Sequence, residues 1–298
     1  MDVDKGSERG DVGLQACEGK VMRTSCPWCG FKEKRFLIID EGVPVVACVN
    51  CGIAYALVIP TLEAIRRYYT EQFSDERHWE VVLSSARPWL HRRLLSRIMH
   101  YRAQGELVDV GCSFGHFASM ARQAGYKVVG VEISEPAARY ARTRMGLSVH
   151  IGTLEEAKFN DESFDVVTLI DVLEHIAEPA KTLREVRRIL RHGGLLVLRV
   201  PNFKFHWIKT LLLRATKRKH FIGLDSHNHI NHFTVRSLTE GLTEMGFKIL
   251  EVRPGVPNIY GRRFFDALRI AYWAVALLVS AVFKWQIGNS IEVFAIKV

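Results

Sequence analysis

The chain has 298 residues, 48% hydrophobic and 24% charged. That is the balance of an ordinary globular enzyme with room for a full core and a small accessory domain, and it excludes a disordered chain. Lysine plus arginine exceeds aspartate plus glutamate by nine, which points to an anionic surface or substrate without choosing between membrane and nucleic acid. Met1 to Gly13 is polar, of mixed charge, and lacks the apolar core of a signal peptide. A cytoplasmic protein with reduced thiols is therefore expected.

After a flexible stretch over 1–20, Cys26-Pro27-Trp28-Cys29-Gly30 and Cys48-Val49-Asn50-Cys51-Gly52 form two matched knuckles separated by eighteen residues. This spacing predicts a zinc ribbon over 21–57, with Cys26, Cys29, Cys48 and Cys51 as the ligands of a structural Zn2+. Redox use of the C-x-x-C pairs is the weaker reading, because no thioredoxin-like βαβ context surrounds them. Between the knuckles, Arg35 to Ile39 and Val43 to Ala47 read as a hairpin across Asp40-Glu41-Gly42. Cys17 and Cys112 are left over.

A helical linker or cap follows over 58–104. Leu62, Ile65, Tyr68 and Tyr69 recur at helical spacing after Pro60-Thr61, and Pro88 to Tyr101 places Leu90, Leu94, Leu95 and Ile98 on one face. Tyr68 and Trp79 are candidates to touch a ligand, although such aromatics more often belong to a core.

The informative stretch is Leu107-Val108-Asp109-Val110-Gly111-Cys112-Ser113-Phe114-Gly115-His116-Phe117. An apolar run, a glycine turn and a helical pattern predict strand, tight loop and helix, the opening unit of a nucleotide-binding α/β sheet. The G-x-x-x-G spacing differs from the dinucleotide fingerprint, and Asp109 just ahead of the turn would repel a pyrophosphate. It suits a ligand with a cationic end. Tyr126 to Ile133 is the next strand, and Glu132 at its tip can accept both hydroxyls of a ribose. Serine at position 113 is tolerable there if its φ is negative.

Further along, Ser134-Glu135-Pro136 starts a helix ending near Gly146, and Leu147 to Ile151 gives a third strand before Gly152-Thr153-Leu154. Val166 to Ile170 is a fourth, buried strand that delivers Asp171. Pro179 starts a helix that stops at Gly193, and Leu195 to Val200 is the fifth strand. A helix from Thr239 to Met245, a strand from Lys248 to Val252 and a last strand from Ile291 to Lys297 close the pattern. Two stretches interrupt it. Residues 203–223 open as a basic amphipathic segment, with Phe205, Trp207, Ile208 and Leu211 among Lys204, Lys209, Arg214 and Lys217, of a kind that suits an anionic bilayer surface. Within 264–286, Ile270 to Phe283 is fourteen residues without a charge, short of the ~20 needed to cross a bilayer. In-plane insertion and an apolar lid or dimer-interface helix are the two expectations for it.

The loop Asp109 to Gly115, Glu132, Phe164-Asp165-Val166-Val167, Asp171-Val172-Leu173-Glu174-His175, and Leu190-Arg191-His192-Gly193-Gly194 together resemble class I S-adenosylmethionine-dependent methyltransferases, most nearly the branch containing ubiquinone-biosynthesis O-methyltransferases. The resemblance covers about residues 85–260 and the last strand. It implies a Rossmann-like seven-stranded sheet with helices on both faces over 105–298, the last strand being antiparallel. It also implies S-adenosyl-L-methionine as cofactor, bound by Asp109, Gly111, Cys112, Ser113, Gly115, His116, Phe117, Glu132, Ile133, Thr153, Leu154, Asp171 and Val172. Thr153 and Leu154 would meet the adenine edge, although Thr153 also suits a helix cap.

Methyl transfer to oxygen needs a base near neutrality. His175, four residues past Asp171, and His232, in the His227, His229, His232 cluster where the family walls the acceptor pocket, are the candidates. A metal site in that cluster is the weaker reading. The favoured expectation is methylation of a hydroxyl on a small-molecule or lipid-linked acceptor, in the cytoplasm and peripherally on the inner face of the membrane. Carbon or nitrogen methylation stays open. A nucleic-acid-binding methyltransferase or adaptor using the zinc ribbon ranks lower, because the basic residues cluster with aliphatics rather than with a stacking platform. A non-catalytic scaffold that kept the fold is a third expectation.

Overall fold

The computed structural model describes residues 19–74, 87–215, 224–259, 263–283 and 285–298. The apolar runs of the second half pair as β6 (Glu106–Val110), β7 (Lys127–Glu132), β8 (Ser148–Ile151), β9 (Phe164–Ile170) and β10 (Leu190–Pro201), all parallel. Strands this apolar suit a sheet covered on both faces. With β12 (Phe247–Pro254) and β13 (Ser290–Lys297) the order is β12-β13-β10-β9-β6-β7-β8, and β13 runs antiparallel to both of its neighbours. The expected seven-stranded Rossmann-like sheet is present.

Successive side chains of a strand point to opposite faces, and β6 shows the consequence. Leu107 packs with Leu90, Leu94, Ile98 and Phe117 from α2 (Pro88–Tyr101) and α3 (His116–Gln123). Val108 instead joins Leu183, Val186 and Leu238 from α5 (Pro179–Ile189) and α7 (Val235–Glu244). Between α3 and α5 lies α4 (Glu135–Thr143), capped by Ser134.

Three boundaries differ from the sequence expectation. Helix α5 ends at Ile189 rather than Gly193, because Leu190 is fully buried and already pairs with Phe164. The five residues to Leu195 take up a register shift in which Gly193 has φ +69°. Helix α7 begins at Val235, ahead of Thr239, because Thr234 and Ser237 form a reciprocal capping box. The late apolar helix is longer than its uncharged run: α8 spans Arg263–Phe283, 21 residues, long and apolar enough to cross a membrane. Its two ends nevertheless belong to one sheet, since β12 precedes it, β13 follows it, and the amide of Gly255 donates to Ser290 O at 2.8 Å.

The first cysteine knuckle precedes β2 (Lys34–Asp40), and the second joins the end of β3 (Val43–Cys48) to β4 (Ala54–Ala56). The sheet of these strands is continued by β11 (Asn231–His232) from the other half of the chain, with Asn231 opposite Tyr55 and His232 opposite Ala54. Trp28 locks the two parts together. Its Nε1 donates to Ser237 O at 3.0 Å, its ring stands edge-on to Phe233, and a Cβ on Gly241 would lie 2.1 Å from the indole nitrogen. The knuckle residues thus share one apolar cluster with Leu238 and Leu242. Strand β1 (Lys20–Met22) pairs with β5 (Val58–Pro60), and α1 (Leu62–Gln72), capped by Thr61, leads back over the main sheet.

Candidate active site

A cavity of about 280 Å³ opens over the carboxyl ends of β6, β7 and β9, where the strand order reverses and open α/β sheets take their ligands. Its floor is the glycine turn after β6. Gly111 has φ +69°, and a Cβ there would stand 2.5 Å from Val172 Cγ2, so the turn closes against the opposite wall only with glycine. Ser113 has φ +50° rather than the negative value that would suit a serine, a conformation costing about 1–2 kcal/mol. A hydrogen bond from its own backbone amide holds it, because Ser113 N donates to Glu132 Oε2 at 2.8 Å.

Glu132 is the best-defined group in the cleft. Its second oxygen, Oε1, accepts from Ser134 N at 2.8 Å, and the side chain is buried yet lines the cavity. Burial raises its pKa, against the three amides of Ser134, Ser113 and Ile133. A carboxylate has about four acceptor sites, so the two amides within hydrogen-bond distance, Ser113 N and Ser134 N, orient both oxygens and leave each able to accept a hydroxyl. Ile133, Thr153 and Leu154 continue the wall. Thr153 also acts as a cap, its Oγ1 accepting from Glu156 N and its own N–H donating to Glu156 Oε2.

Helix α1 closes the cleft from above with Leu62, Ile65, Tyr69 and Phe73. It is tied down on both sides, by an Arg66–Glu156 ion pair and by Ser134 Oγ donating to Tyr69 O at 3.3 Å. Tyr68 is largely exposed and reaches Asn228 instead, and Trp79 lies outside the described residues. The stripe at 62, 65, 69 and 73 is the signal in the sequence for this roof.

Asp171 lines the cleft with φ +56°, its two oxygens paired to the Nη1 atoms of Arg87 and Arg199. Burial would raise its pKa, but the guanidiniums outweigh that and hold it at about 2. Val172 lies beside it in the cavity wall.

Several expected cofactor residues do not line the cavity. Asp109 is buried beneath the floor, its Oδ1 accepting from Thr168 Oγ1 at 2.7 Å, and burial pushes its pKa up to about 7. Cys112 packs its sulfur where a Cβ on Gly130 would sit, and Phe117 points into the core beside His91. Gly115 turns the chain into α3 with φ +80°, and His116 is the first residue of that helix. These residues shape the turn from below and do not face the cleft.

Beyond Asp171 and Val172, His175 lines the cavity on a 3-10 turn, Leu173–His175. Its Nδ1 is 2.8 Å from Asn228 O. That carbonyl can only accept, which places a proton on Nδ1 and leaves the Nε2 lone pair available. Glu174 is 1% exposed, and among the described residues neither of its oxygens has a hydrogen-bond partner. Burial first, and the Asp171 charge second, push its pKa up to about 8. The ring of His229 lies 5.0 Å from that of His175, and one ligand atom from each of Glu174, His175 and His229 lies within 4.8 Å of the others. Such a trio can take a proton or share a divalent cation.

His232 is corrected as a candidate base. It is buried on β11, bonded to Ser226 Oγ at 3.2 Å, and absent from the cavity lining. Burial, then His229, His206 and Arg23, lower its pKa to about 3 against the opposing pull of Asp40. The unfolded value is about 6.5. The unfolded chain therefore binds the extra proton between these limits, and stability falls as pH drops below about 6.5, by about 1.4 kcal/mol per unit for one such group. His91, at about 3, and His206, at about 4, act with the same sign. Urea midpoints measured from pH 7 to 4 should fall, and with a shallower slope in His232→Gln; an unchanged slope would show that this histidine is not held neutral.

In the cysteine cluster the Sγ atoms of Cys26 and Cys51, and of Cys29 and Cys48, are 3.6 Å apart, and all four lie within 4.8 Å of one another. A tetrahedron with Zn–S of about 2.3 Å has edges of about 3.8 Å, so the four thiols fit a tetrahedral ion. Cys112 is not part of this group, and Cys17 lies outside the described residues.

A doubly wound, mostly parallel sheet with a glycine turn at its switch point and a buried acid lining the cleft above it is the arrangement of nucleotide-binding α/β folds. A family model described as a methyltransferase domain matches residues 84–252, more than half of the chain, and the chain belongs to this family of class I S-adenosylmethionine-dependent methyltransferases. It is 26% identical over 152 residues to a ubiquinone biosynthesis O-methyltransferase of Colwellia psychrerythraea, covering 49% of this chain and 62% of that protein. Over 113 residues it is 29% identical to a protein of Mycolicibacterium smegmatis named a probable S-adenosylmethionine-dependent methyltransferase, covering 38% and 44%. The chain thus spans about half the length of these curated relatives. An S-adenosylmethionine-dependent methyltransferase structure from Mesorhizobium loti matches the fold with a TM-score of 0.50 at 20% identity, covering 69% of this chain and 96% of that one.

Proposed function

We propose that the protein transfers a methyl group from S-adenosylmethionine to a hydroxyl of a small-molecule or lipid-linked acceptor at the cytoplasmic face of a membrane. The bound cofactor supplies an activated sulfonium methyl, so the chain's own task is alignment, exclusion of water and removal of the acceptor's proton. Glu132 holds the ribose hydroxyls, and the side chains of α1 keep water from the cleft. His175 Nε2 takes the hydroxyl proton, with Asn228 O fixing its tautomer. A divalent cation shared by Glu174, His175 and His229 would occupy that Nε2 lone pair in place of the proton, and would then act by lowering the hydroxyl's pKa rather than through His175 as base. The observation that carries this reading is that His175 and Glu132 line one cavity while Glu174, beside His175, is buried with both oxygens unsatisfied.

The membrane face is supported by α8, where Phe264, Leu278, Val282 and Phe283 are each more than 60% exposed, an apolar display that water disfavours. Both ends of α8 return to one sheet, and Trp273 in its middle donates to Pro254 O at 3.2 Å and stacks edge-on with Trp89. Insertion in the plane of the interface fits these ties, whereas a crossing does not. No residue of α8 lines the cleft, which weakens the lid alternative. Zinc in the cysteine cluster is structural, because four thiolates fill its tetrahedron.

Incubating the full chain with methyl-labelled cofactor and a lipid extract should place the label in an ether of an extracted hydroxyl compound. His175→Gln should lower that turnover about 100-fold while leaving the calorimetric affinity for the cofactor within a few-fold. Label on nitrogen, on carbon or in nucleic acid, or full turnover by both His175→Gln and His229→Gln, would sink the reading.

A further inference from the structure

Of the four side chains that roof the cleft, Leu62, Ile65 and Phe73 are purely apolar, and Tyr69 alone carries a polar group. Neither α6 (Phe203–Ala215) nor α8 adds a lining residue, so among the described residues no outer helix shares that roof. Tyr69 is half-buried, and its hydroxyl has no hydrogen-bond partner among the described residues, whereas the hydroxyl of Tyr68 lies 3.4 Å from Asn228 Oδ1. Burial first, then Tyr68 and the carboxylates of Glu132, Glu174 and Asp225, hold the pKa of Tyr69 above the ordinary phenol value. It therefore stays an uncharged phenol.

The ties of the roof fix where that phenol stands. Tyr69 O accepts from Ser134 Oγ at 3.3 Å, and Ser134 N donates to Glu132 Oε1 at 2.8 Å, which anchors one side beside the ribose acid. On the other side Tyr68 reaches Asn228, whose carbonyl is bonded to His175 Nδ1 at 2.8 Å. Residues 68 and 69 thus span the cleft from Glu132 to His175. With the ribose at the first and the acceptor at the second, in-line transfer requires the sulfonium methyl to lie between them. A phenol oxygen accepts hydrogen bonds while keeping its own proton. The C–H groups of a methyl on cationic sulfur are polarised into weak donors, and an aromatic ring attracts the same positive charge.

We propose that Tyr69 is a catalytic residue that recognises the sulfonium methyl of the cofactor, its hydroxyl oxygen accepting from the methyl C–H groups and holding them toward the acceptor. The inference rests on the placement of ribose and acceptor proposed above.

The test is calorimetric titration of the full chain with S-adenosylmethionine and, separately, with S-adenosylhomocysteine, which has the same nucleoside but a neutral sulfur and no methyl. Tyr69→Phe should weaken the first by about three- to fivefold and leave the second within about twofold. Tyr69→Leu removes the ring as well, and should weaken S-adenosylmethionine by about tenfold or more, with a smaller loss for S-adenosylhomocysteine. A ratio of the two affinities that is unchanged in both variants would overturn the proposal. So would equal weakening of both ligands by Tyr69→Phe, which would make the hydroxyl a support of the roof. No acceptor enters these titrations, so the two readings fail separately. A shifted ratio with label found on nitrogen would support the role of Tyr69 and sink the hydroxyl acceptor, and an unchanged ratio with an ether formed would do the reverse.

Discussion

Glu132→Ala is expected to weaken the binding of S-adenosylmethionine by about a hundredfold or more. On the proposed ribose contact, two hydroxyl-to-carboxylate hydrogen bonds would be lost, each of which contributes about 1.5–3 kcal/mol when one partner is charged. The same substitution strips the acceptors from Ser113 N and Ser134 N, both at 2.8 Å. Ser113 then loses the contact that holds it at φ +50°, so the turn under the ligand relaxes along with the wall beside it. Glu132→Gln separates these contributions. It keeps the shape and one acceptor oxygen, but its NH2 group faces a backbone amide, so donor meets donor. An affinity for Glu132→Gln close to that of Glu132→Ala would place most of the effect in the charge and the paired acceptors. Calorimetric titration checks both variants, with thermal unfolding to confirm that they fold. An affinity within threefold of the unsubstituted chain in both would remove Glu132 as the ribose ligand, and with it the orientation of the cofactor assumed above.

How far the sequence goes toward this site depends on whether a residue's role is set by its near neighbours. The turn from Gly111 to Gly115, the acid closing β7, and the strand delivering Asp171 are local patterns, and each lies where the spacing puts it. Asp171 shows the limit. Its partners Arg87 and Arg199 are 84 and 28 residues away, and neither carries a mark in the sequence, because a pairing across the sheet depends on which strand ends converge. Asp109 shows a second limit. Alternation along a strand decides which face a side chain takes, and here the carboxylate bonds Thr168 on β9 and is absent from the cavity lining. Among the described residues the acids that line the cleft are Glu132, Glu155 and Asp171, whereas Asp109, read from its place before the turn as selecting a cation, has no side-chain contact with the cavity. His232 fails for a similar reason. Proximity in sequence to His229 suggests one pocket, but β11 carries His232 into register with Ala54 while the preceding loop keeps His229 near His175.

Removing a metal from the cysteine cluster is expected to destabilise more than the hairpin that carries it. The cysteines, Trp28 and Tyr55 belong to the same apolar cluster as Leu238 and Leu242 of α7, so a ribbon that loses its ion also uncovers that helix. Structural zinc contributes its binding energy to folding. Cys48→Ser, or dialysis against a strong chelator, should therefore cost about 3 kcal/mol or more, a drop in Tm of about 6–12 °C for a domain of this size. Metal analysis should find about one zinc per chain in the untreated protein and much less in Cys48→Ser. Cys112→Ser should retain the zinc, because Cys112 packs under the glycine turn and takes no part in the cluster. The effect should also reach the cleft: the described residues just ahead of β11 supply Asn228 O to His175 and bring up His229, and β11 is fixed by its pairing with β4. Methyl transfer should accordingly fall in step with zinc release at temperatures where the main sheet remains folded, as followed by far-ultraviolet circular dichroism. If zinc leaves with turnover unchanged, the ribbon is an independent module and the acceptor wall is held by the methyltransferase sheet alone. If no metal is found and chelation leaves Tm where it was, the four thiols are held by their hydrogen bonds and the packing of Trp28.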